Sequence, residues 1–350
     1  MSEFWYKQPV PQDKVIFESD GEIDSSRELR YEKTPLPDGY KWSSCDIDEL
    51  YIFLKENYVS DEEFEFNYSK ELIEWAINPP NYLKECNIAI REIESNKVIA
   101  FNSGIPLDVR INDKTIKMLQ ANFLCVHRDF RNTKFTPIII TEQVRRMNLC
   151  DIWQGISTIV RRIATPVTKV KYWHRLINVK KLNKLNFSNA SEYTNRILGI
   201  SHFRKMNEND IPRVTKMLYD HLNKFKLSIE IDESYVRHWI LPRKDTVYTY
   251  LSDESDRFVT FYSLEYVHVQ SGEIIKQAYM FYNVGNCLRD AIIIACNNGF
   301  DVFNCVNVGV EETDFRYYKF IEGTGYNHYY LWNWKINDEI EPKDIGFVII

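Results

Sequence analysis

Two stretches of the chain carry the same order of hydrophobic and polar positions. "CDIDELYIFLKENY" (45–58) and "NDIPRVTKMLYDHL" (209–222) each open on an acidic cap and repeat apolar residues at i, i+3 and i+4, which predicts a half-buried helix. The first is followed by "VIAFNSGIPLDVRI" and "KMLQANFLCV", the second by "FVTFYSLEYVHVQ" and "KQAYMFYNVG". Each pair predicts antiparallel strands joined by a polar turn. A helix is expected after each pair, over 136–148 and 287–298, and each leads into a short strand, "DIWQGISTI" (151–159) or "DVFNCVNVG" (301–309). Helix, hairpin, helix, strand therefore occurs twice, about 150 residues apart. That is too long for a solenoid and suits a duplicated α+β domain, with chance recurrence of common α+β units as the alternative. The polar stretch "NFSNASEYTNRILGIS" (186–201) predicts the boundary, dividing the chain into halves 1–190 and 191–350.

Two segments stand outside the repeat. The first 42 residues hold "QPVPQ" and "TPLPDGYKW" and predict an extended segment wrapped over a core, with Phe4 and Trp5 as its anchor. The chain closes on "KDIGFVII". Its last five residues carry no charged side chain and four of them are large and apolar, which predicts a buried terminal strand where a polar, frayed end is the norm.

Composition narrows the class. The chain has 350 residues, 44% hydrophobic and 27% charged, the profile of a globular protein with a sizeable core. Twenty-two Tyr, 20 Phe and 8 Trp against 12 Gly and 12 Pro point to packed structure with long apolar grooves. A net charge of −6 leaves no basic excess for broad nucleic-acid binding. No run approaches the ~20 apolar residues of a transmembrane segment, and "MSEFWYKQPVPQDK" lacks the pattern of a signal peptide. Seven Cys without CxxC or zinc-like Cys/His spacing predict no metal, a reducing compartment and a cytoplasmic protein.

"ANFLCVHRDFRNTKFTP" (121–137) carries the most chemistry. An apolar strand runs into a turn with Arg128, Arg131 and Lys134, and Pro137 opens a helix. Strand, basic turn and helix N-terminus together suit an anion. The turn lacks the glycines of a Walker or dinucleotide loop, so a phosphate cradle and a solvated basic loop both remain open. Cys125 and His127 share a strand face, where a thiol nucleophile and plain packing are the alternatives. No Ser/His/Asp order or paired metal ligands emerge.

With those residues in view, the chain resembles the N-myristoyltransferase (glycylpeptide N-tetradecanoyltransferase) family from Phe4 to Ile350. The resemblance rests on "FWYKQPVP", "LPDGYKW" (36–42), "ENYV" (56–59), "ANFLCVH" (121–127) and "KYWHR" (171–175). It continues through "FYNV" (281–284), "GFDVFN" (299–304), "KFIEGTG" (319–325) and "YYLWNWK" (329–335). It implies an α+β fold of two acetyltransferase-like (GNAT-type) halves related by a pseudo-twofold, a mixed β-sheet flanked by helices. The half 1–190 would hold myristoyl-CoA as co-substrate, and 191–350 would supply peptide binding with the C-terminus inserted in the active site. The activity implied is direct transfer of myristate to the α-amino group of an N-terminal glycine, by a monomeric enzyme whose partners are glycine-starting peptides and proteins. A relative that binds acyl-CoA or peptide N-termini without turnover, and an acyltransferase of different chain-length specificity, are the alternatives.

Site residues carry over by position. The backbone N–H groups of Phe123 and Leu124 match the family's oxyanion hole, where each fixed donor is typically worth ~3 kcal/mol. Asn122 and Thr158 match the positions that hold the glycine amine. Arg131, Asn132, Lys134, Phe135 and Thr136 fall in the CoA phosphate loop, Cys125 and Val126 along the cofactor wall, and Glu3, Phe4 and Trp5 over the cofactor. Tyr58, Phe64, Phe66, Tyr172, His174 and Tyr262 fall along the peptide groove. The family's general base is the C-terminal carboxylate, here that of Ile350. An α-carboxyl near 3.5 and an α-amino group near 8 leave proton transfer uphill by roughly 6 kcal/mol in water, a gap that burial of the carboxylate narrows. An apolar tail is what that chemistry requires.

The chain departs from the family pattern at three places. The phosphate loop is Arg131-Asn132-Thr133-Lys134 where Arg-Ser-Lys-Arg is usual, Gln120 replaces a glutamate, and Gly323-Thr324-Gly325 replaces GDG. The resemblance therefore implies looser phosphate contacts and a weaker preference for lysine in the peptide. The acidic loop Asp61-Glu62-Glu63 is retained, though shortened, and favours basic peptides.

Overall fold

The computed structural model describes residues 3–12, 18–58, 63–191 and 199–350. Residues 192–198 of the expected boundary and Asp61 and Glu62 of the acidic loop lie outside the described residues. In the first half the strands are β1 (Tyr40–Ser43), β2 (Phe64–Asn67), β3 (Ile88–Glu92), β4 (Val98–Ile111), β5 (Lys114–Val126), β6 (Gln154–Ile159) and β7 (Thr168–Leu176). The second half holds β8 (Arg204–Lys205), β9 (Leu227–Ile229), β10 (Val247–Leu251), β11 (Phe258–His268), β12 (Ile274–Val284), β13 (Val302–Val306) and β14 (Ile321–Trp332).

The expected helices form at Ile47–Asn57, Ile211–Leu222, Phe135–Leu149 and Leu288–Asn297. Local chemistry sets their ends. Asp46 caps the first by accepting from the Glu49 N–H, and Pro212 sits in the first turn of the second. The hairpins are long ladders, β4 with β5 and β11 with β12, and the helix after each leads to a strand that returns parallel, β6 beside β5 and β13 beside β12.

Among the described residues the strands join in one sheet ordered β1-β3-β4-β5-β6-β14-β7-β13-β12-β11-β10-β8. From β3 to β10 the order reads alike from either end, as a pseudo-twofold demands, with β3 to β6 answering β10 to β13. The two central strands are exchanged: β14 of the second half pairs with β6 of the first, and β7 of the first with β13 of the second. The short strands are exchanged too, β2 onto β11 and β9 onto β4. The main core is accordingly shared, and packs Leu50, Trp75 and Phe101 with Leu218, Trp239 and Phe347.

The terminal strand does not form. Ile345 makes a single bridge to Leu227, and the tail beyond it runs extended without joining the sheet. Burial without pairing explains the apolar pattern: Phe347 joins the main core while Val348 and Ile350 stay half-buried. Gly346 permits the crossing, since a Cβ there would lie 2.7 Å from the Phe225 ring and 3.0 Å from Leu222, and its N–H donates to the Leu227 carbonyl (2.8 Å).

The N-terminal segment does wrap the core. Pro9 accepts from the Asn333 N–H (2.6 Å), Gly21 bridges Lys335, and the Thr34 N–H donates to Glu142 (2.9 Å). Glu142 is fully buried in the helix Phe135–Leu149 and also accepts from Arg145 (2.7 Å) and Arg146 (2.9 Å). Desolvation alone would raise its carboxyl; the hydrogen bonds from Arg145, Thr34 and Arg146 outweigh it and bring the carboxyl down to about 2. A depressed carboxyl contributes stability above its unfolded value of 4.5 that is lost as the pH falls toward 2. Glu142→Gln is therefore expected to cost about 3 kcal/mol at neutral pH, since it strands a buried guanidinium. Thermal melts of both proteins between pH 7 and pH 2 should show the gap closing over the acid limb.

Candidate active site

Strands β5 and β6 pair in parallel only at Met118 with Gln154, Leu119 with Gly155 and Gln120 with Ile156, and then part. Into the opening comes a cavity of about 690 Å³. Its walls include Leu119, Ile140, Val144, Met147 and Ile156 on the side of the helix Phe135–Leu149, and Tyr58, Phe66, Tyr68, Tyr172, Tyr262, Tyr266 and Tyr279 on the side of the shared centre. Among the described residues no Asp, Glu, Lys or Arg side chain lines it. Burial pushes the hydroxyls of Tyr58, Tyr68, Tyr262 and Tyr279 upward, so these phenols stay neutral.

At the point where the strands part, β5 bulges. Its register with β4 runs Phe101 to Cys125 and then Ser103 to Asn122, so Phe123 and Leu124 together face Asn102. Phe123 sits at φ +52°, a left-handed conformation that a bulky residue rarely adopts. A bulge of this kind takes one residue out of the ladder and re-aims its neighbours. Phe123 and Leu124, the residues of the bulge, both line the cavity.

Thr158 lies opposite Tyr329 across the β6–β14 pair, and both border the cavity. The Tyr329 hydroxyl donates to the Phe347 carbonyl (3.0 Å). One buried phenol thus ties down the tail at Phe347, and Val348, Ile349 and Ile350 reach the cavity wall with Thr158. On the opposite wall, Asn304 donates to Gln277 (2.6 Å) and so presents its oxygen to His174 Nδ1 (2.7 Å). His174 therefore carries a proton on Nδ1 and donates it to that oxygen. Gly323 leaves the room: a Cβ there would stand 2.7 Å from Nε2.

Of the residues expected at the site, Trp5, Tyr58, Phe66, Asn122, Phe123, Leu124, Thr158, Tyr172, His174, Tyr262 and Ile350 line this one cavity. The Asn122 side-chain nitrogen is buried there without a partner. Phe4 packs edge-on against Trp5, and Glu3 is exposed and paired with Lys7. Phe64 packs against Phe187 away from the cavity. Cys125 does not line it: strand alternation turns the thiol into the core, where burial pushes it up to about 12. Val126 and Phe135 pack between β3, β4 and the helix Phe135–Leu149. Asn132, Lys134 and Thr136 are exposed around the start of that helix. Arg131 donates to the Asn57 carbonyl and Arg128 to that of Glu56, so both guanidiniums cap the C-terminal end of the helix Ile47–Asn57. Sequence reasoning does not single out Tyr68, Tyr279, Asn102 or Gln143, because their approach to the cavity comes from strand exchange and helix docking.

Family models match both halves: "Myristoyl-CoA:protein N-myristoyltransferase, N-terminal domain" over residues 22–170 and the corresponding C-terminal domain over 178–348. Together they define an acyltransferase, and the chain belongs to the myristoyl-CoA:protein N-myristoyltransferase family. It is 36% identical to glycylpeptide N-tetradecanoyltransferase 1 of Arabidopsis thaliana over an alignment 385 positions long, gaps included, covering 99% of this chain and 89% of that one. It superposes on Saccharomyces cerevisiae N-myristoyltransferase with bound myristoyl-CoA at a TM-score of 0.92, with 26% identity and 99% of each chain covered. The GNAT likeness extends to a GCN5-related N-acetyltransferase from Anabaena variabilis, whose TM-score of 0.50 at 11% identity, over 83% of this chain and 72% of that one, concerns fold alone. Among the described residues no cluster of metal ligands occurs, and no helix is long and apolar enough to cross a membrane.

The Tyr329 tether makes a direct prediction. Tyr329→Phe keeps the ring packing and removes only the hydroxyl, so a loss of about 1 kcal/mol in stability is expected. Hydrogen–deuterium exchange at the Gly346 amide, which donates to the Leu227 carbonyl, should rise well above the global change. Unaltered exchange there would show that the tail is held by packing alone.

Proposed function

We propose that the protein transfers the myristoyl group of myristoyl-CoA to the α-amino group of an N-terminal glycine. The observation that carries this reading is the meeting of three things in one cavity without charged side chains: the Phe123–Leu124 bulge, Thr158 and the Ile350 end of the tail. The apolar channel of Leu119, Ile140, Val144 and Met147 suits a saturated acyl chain. Each methylene buried there is worth about 0.8 kcal/mol, which favours the chain that fills it.

In this reading the half 1–190 holds the acyl-CoA and 191–350 supplies most of the peptide groove. The CoA phosphates lie toward Arg131, Asn132, Lys134 and Thr136 at the start of the helix Phe135–Leu149, whose positive dipole end favours an anion. Trp5 closes over the channel, with Glu3 and Phe4 beside it. Tyr58, Phe66, Tyr172, His174 and Tyr262 line the peptide path, with Phe64 at its margin. Thr324 reaches the cavity where an acidic side chain is usual in the family, so the groove accepts peptides without relying on lysine.

The chemistry asks little of side chains. Asn122 and Thr158 hold the glycine amine, and the Ile350 carboxylate removes its proton. The nitrogen attacks the thioester carbonyl, and the N–H groups of Phe123 and Leu124 receive the charge that develops on its oxygen. The C–S bond then breaks as the nitrogen gives up its second proton, which the departing thiolate takes, so that CoA leaves as its thiol. Glycine is required because the amine must reach the thioester between β5 and β6, where a side chain has no space. We place the enzyme in the cytoplasm, acting as a monomer.

The test is acyl transfer from myristoyl-CoA to a Gly-starting octapeptide and to its Ala-starting twin. Transfer to the Gly peptide alone is expected. No transfer alongside tight binding of myristoyl-CoA by calorimetry would overturn catalysis in favour of a binding relative, and a shorter acyl chain preferred in mixed acyl-CoAs would reassign the donor. Adding one residue after Ile350 displaces the base and should lower turnover on the order of 100-fold while leaving cofactor binding intact. Undiminished turnover in the extended protein would remove the carboxylate from the mechanism.

A further inference from the structure

The acyl side of the cavity contains two amides that an alkyl chain cannot satisfy. The buried stripe of the helix Phe135–Leu149 runs Phe135, Ile139, Gln143, Met147, with one polar residue in an otherwise apolar i, i+4 series. On the facing strand β4, Ala100, Asn102 and Gly104 share a face, and Asn102 again interrupts an apolar run. Asn102 and Gln143 are 3% and 4% exposed, and both line the cavity. Asn102 Nδ2 donates to Gln143 Oε1 at 3.3 Å. Asn102 Oδ1 and Gln143 Nε2 are left buried without partners. Gly104 provides the room: a Cβ there would meet Gln143 Nε2 at 2.6 Å.

Asn102 Oδ1 and Gln143 Nε2 are closed off behind the cavity wall. Once the side chains turn to expose them, one acceptor and one donor on neighbouring amides match a hydroxyl, which donates to the first and accepts from the second. We infer that this amide pair is a recognition point for a hydroxylated acyl chain, so that the channel takes a monohydroxytetradecanoyl group as well as the saturated one. The inference rests on the reading of this cavity as an acyl channel. Asn102 faces the Phe123–Leu124 bulge across the β4–β5 ladder, which puts the hydroxyl on the carbonyl-proximal half of the chain. A saturated chain passes the same point at the cost of leaving both amide atoms unpaired or bridged by water. A site built to hydrogen-bond a substrate hydroxyl discriminates strongly because its own buried groups are otherwise unsatisfied.

The experiment compares kcat/KM for myristoyl-CoA and for tetradecanoyl-CoAs hydroxylated at successive carbons, all with the same Gly-starting peptide. In the wild type, one isomer hydroxylated in the proximal half should exceed its neighbours two carbons away by about tenfold. Asn102→Leu with Gln143→Leu should abolish that maximum and improve the use of myristoyl-CoA. Gln143→Met alone, which conserves volume, should lower the maximum and serves if the double variant does not fold. A profile that is flat or falls steadily along the chain in the wild type would assign the two amide atoms to a bound water and overturn the inference. So would a maximum that survives both variants. Absence of transfer from every acyl-CoA, myristoyl-CoA included, would remove the activity itself, and the inference with it.

Discussion

The structure depends on two parallel strands that stop pairing. While β5 and β6 are hydrogen-bonded, from Met118 to Gln120, they are ordinary sheet; past that point their facing backbone groups need other partners. The opening could not persist as bare backbone. On one side the β5 bulge re-aims the peptides of Phe123 and Leu124, and on the other β14 pairs with the far edge of β6 and brings Tyr329 opposite Thr158. The tail then lies against Tyr329 instead of adding a strand. Removing the divergence would leave no channel for the helix Phe135–Leu149 to roof.

Much of this frame was legible along the chain. The helices and hairpins follow from period 3.6 and period 2, and they recur in the same order because both halves build the same unit. What was not legible is everything set by pairing at long range. The exchange of β7 and β14 leaves no local mark, since an exchanged strand has the same alternation as one that stays home. The bulge is hidden in "NFLC", which reads as a continuous apolar strand. The terminal strand failed because apolar residues report burial and not pairing: Phe347 is buried by core side chains and a phenol, without a ladder.

The candidate site was legible in part and for distinct reasons. Aromatic residues expected along a groove gather there because the groove lies on the seam between the halves, and they carry no charge that the seam would need to neutralise. The basic turn is different. Arg128 and Arg131 looked like free cations, yet an exposed helix end lies nearby and its carbonyls take both guanidiniums. Asn102 and Gln143 each left a visible signal, a polar residue at a position where the period calls for an apolar one. The signal acquired meaning only when helix docking placed the two amides in contact.

The exchange of the central strands has a consequence for how the chain is made. During synthesis the first half emerges with β6 and β7 in place, but β7 finds β13 only once residues 302–306 exist, and β6 finds β14 only after 321–332. Until then the nascent protein presents unpaired strand edges in an otherwise apolar sheet, the kind of surface that aggregates or recruits chaperones. Neither half is a complete folding unit, and closure of the sheet is a late event dominated by contacts distant in sequence. A ribosome stalled anywhere before β14 would release not a smaller working domain but a sheet open at its middle.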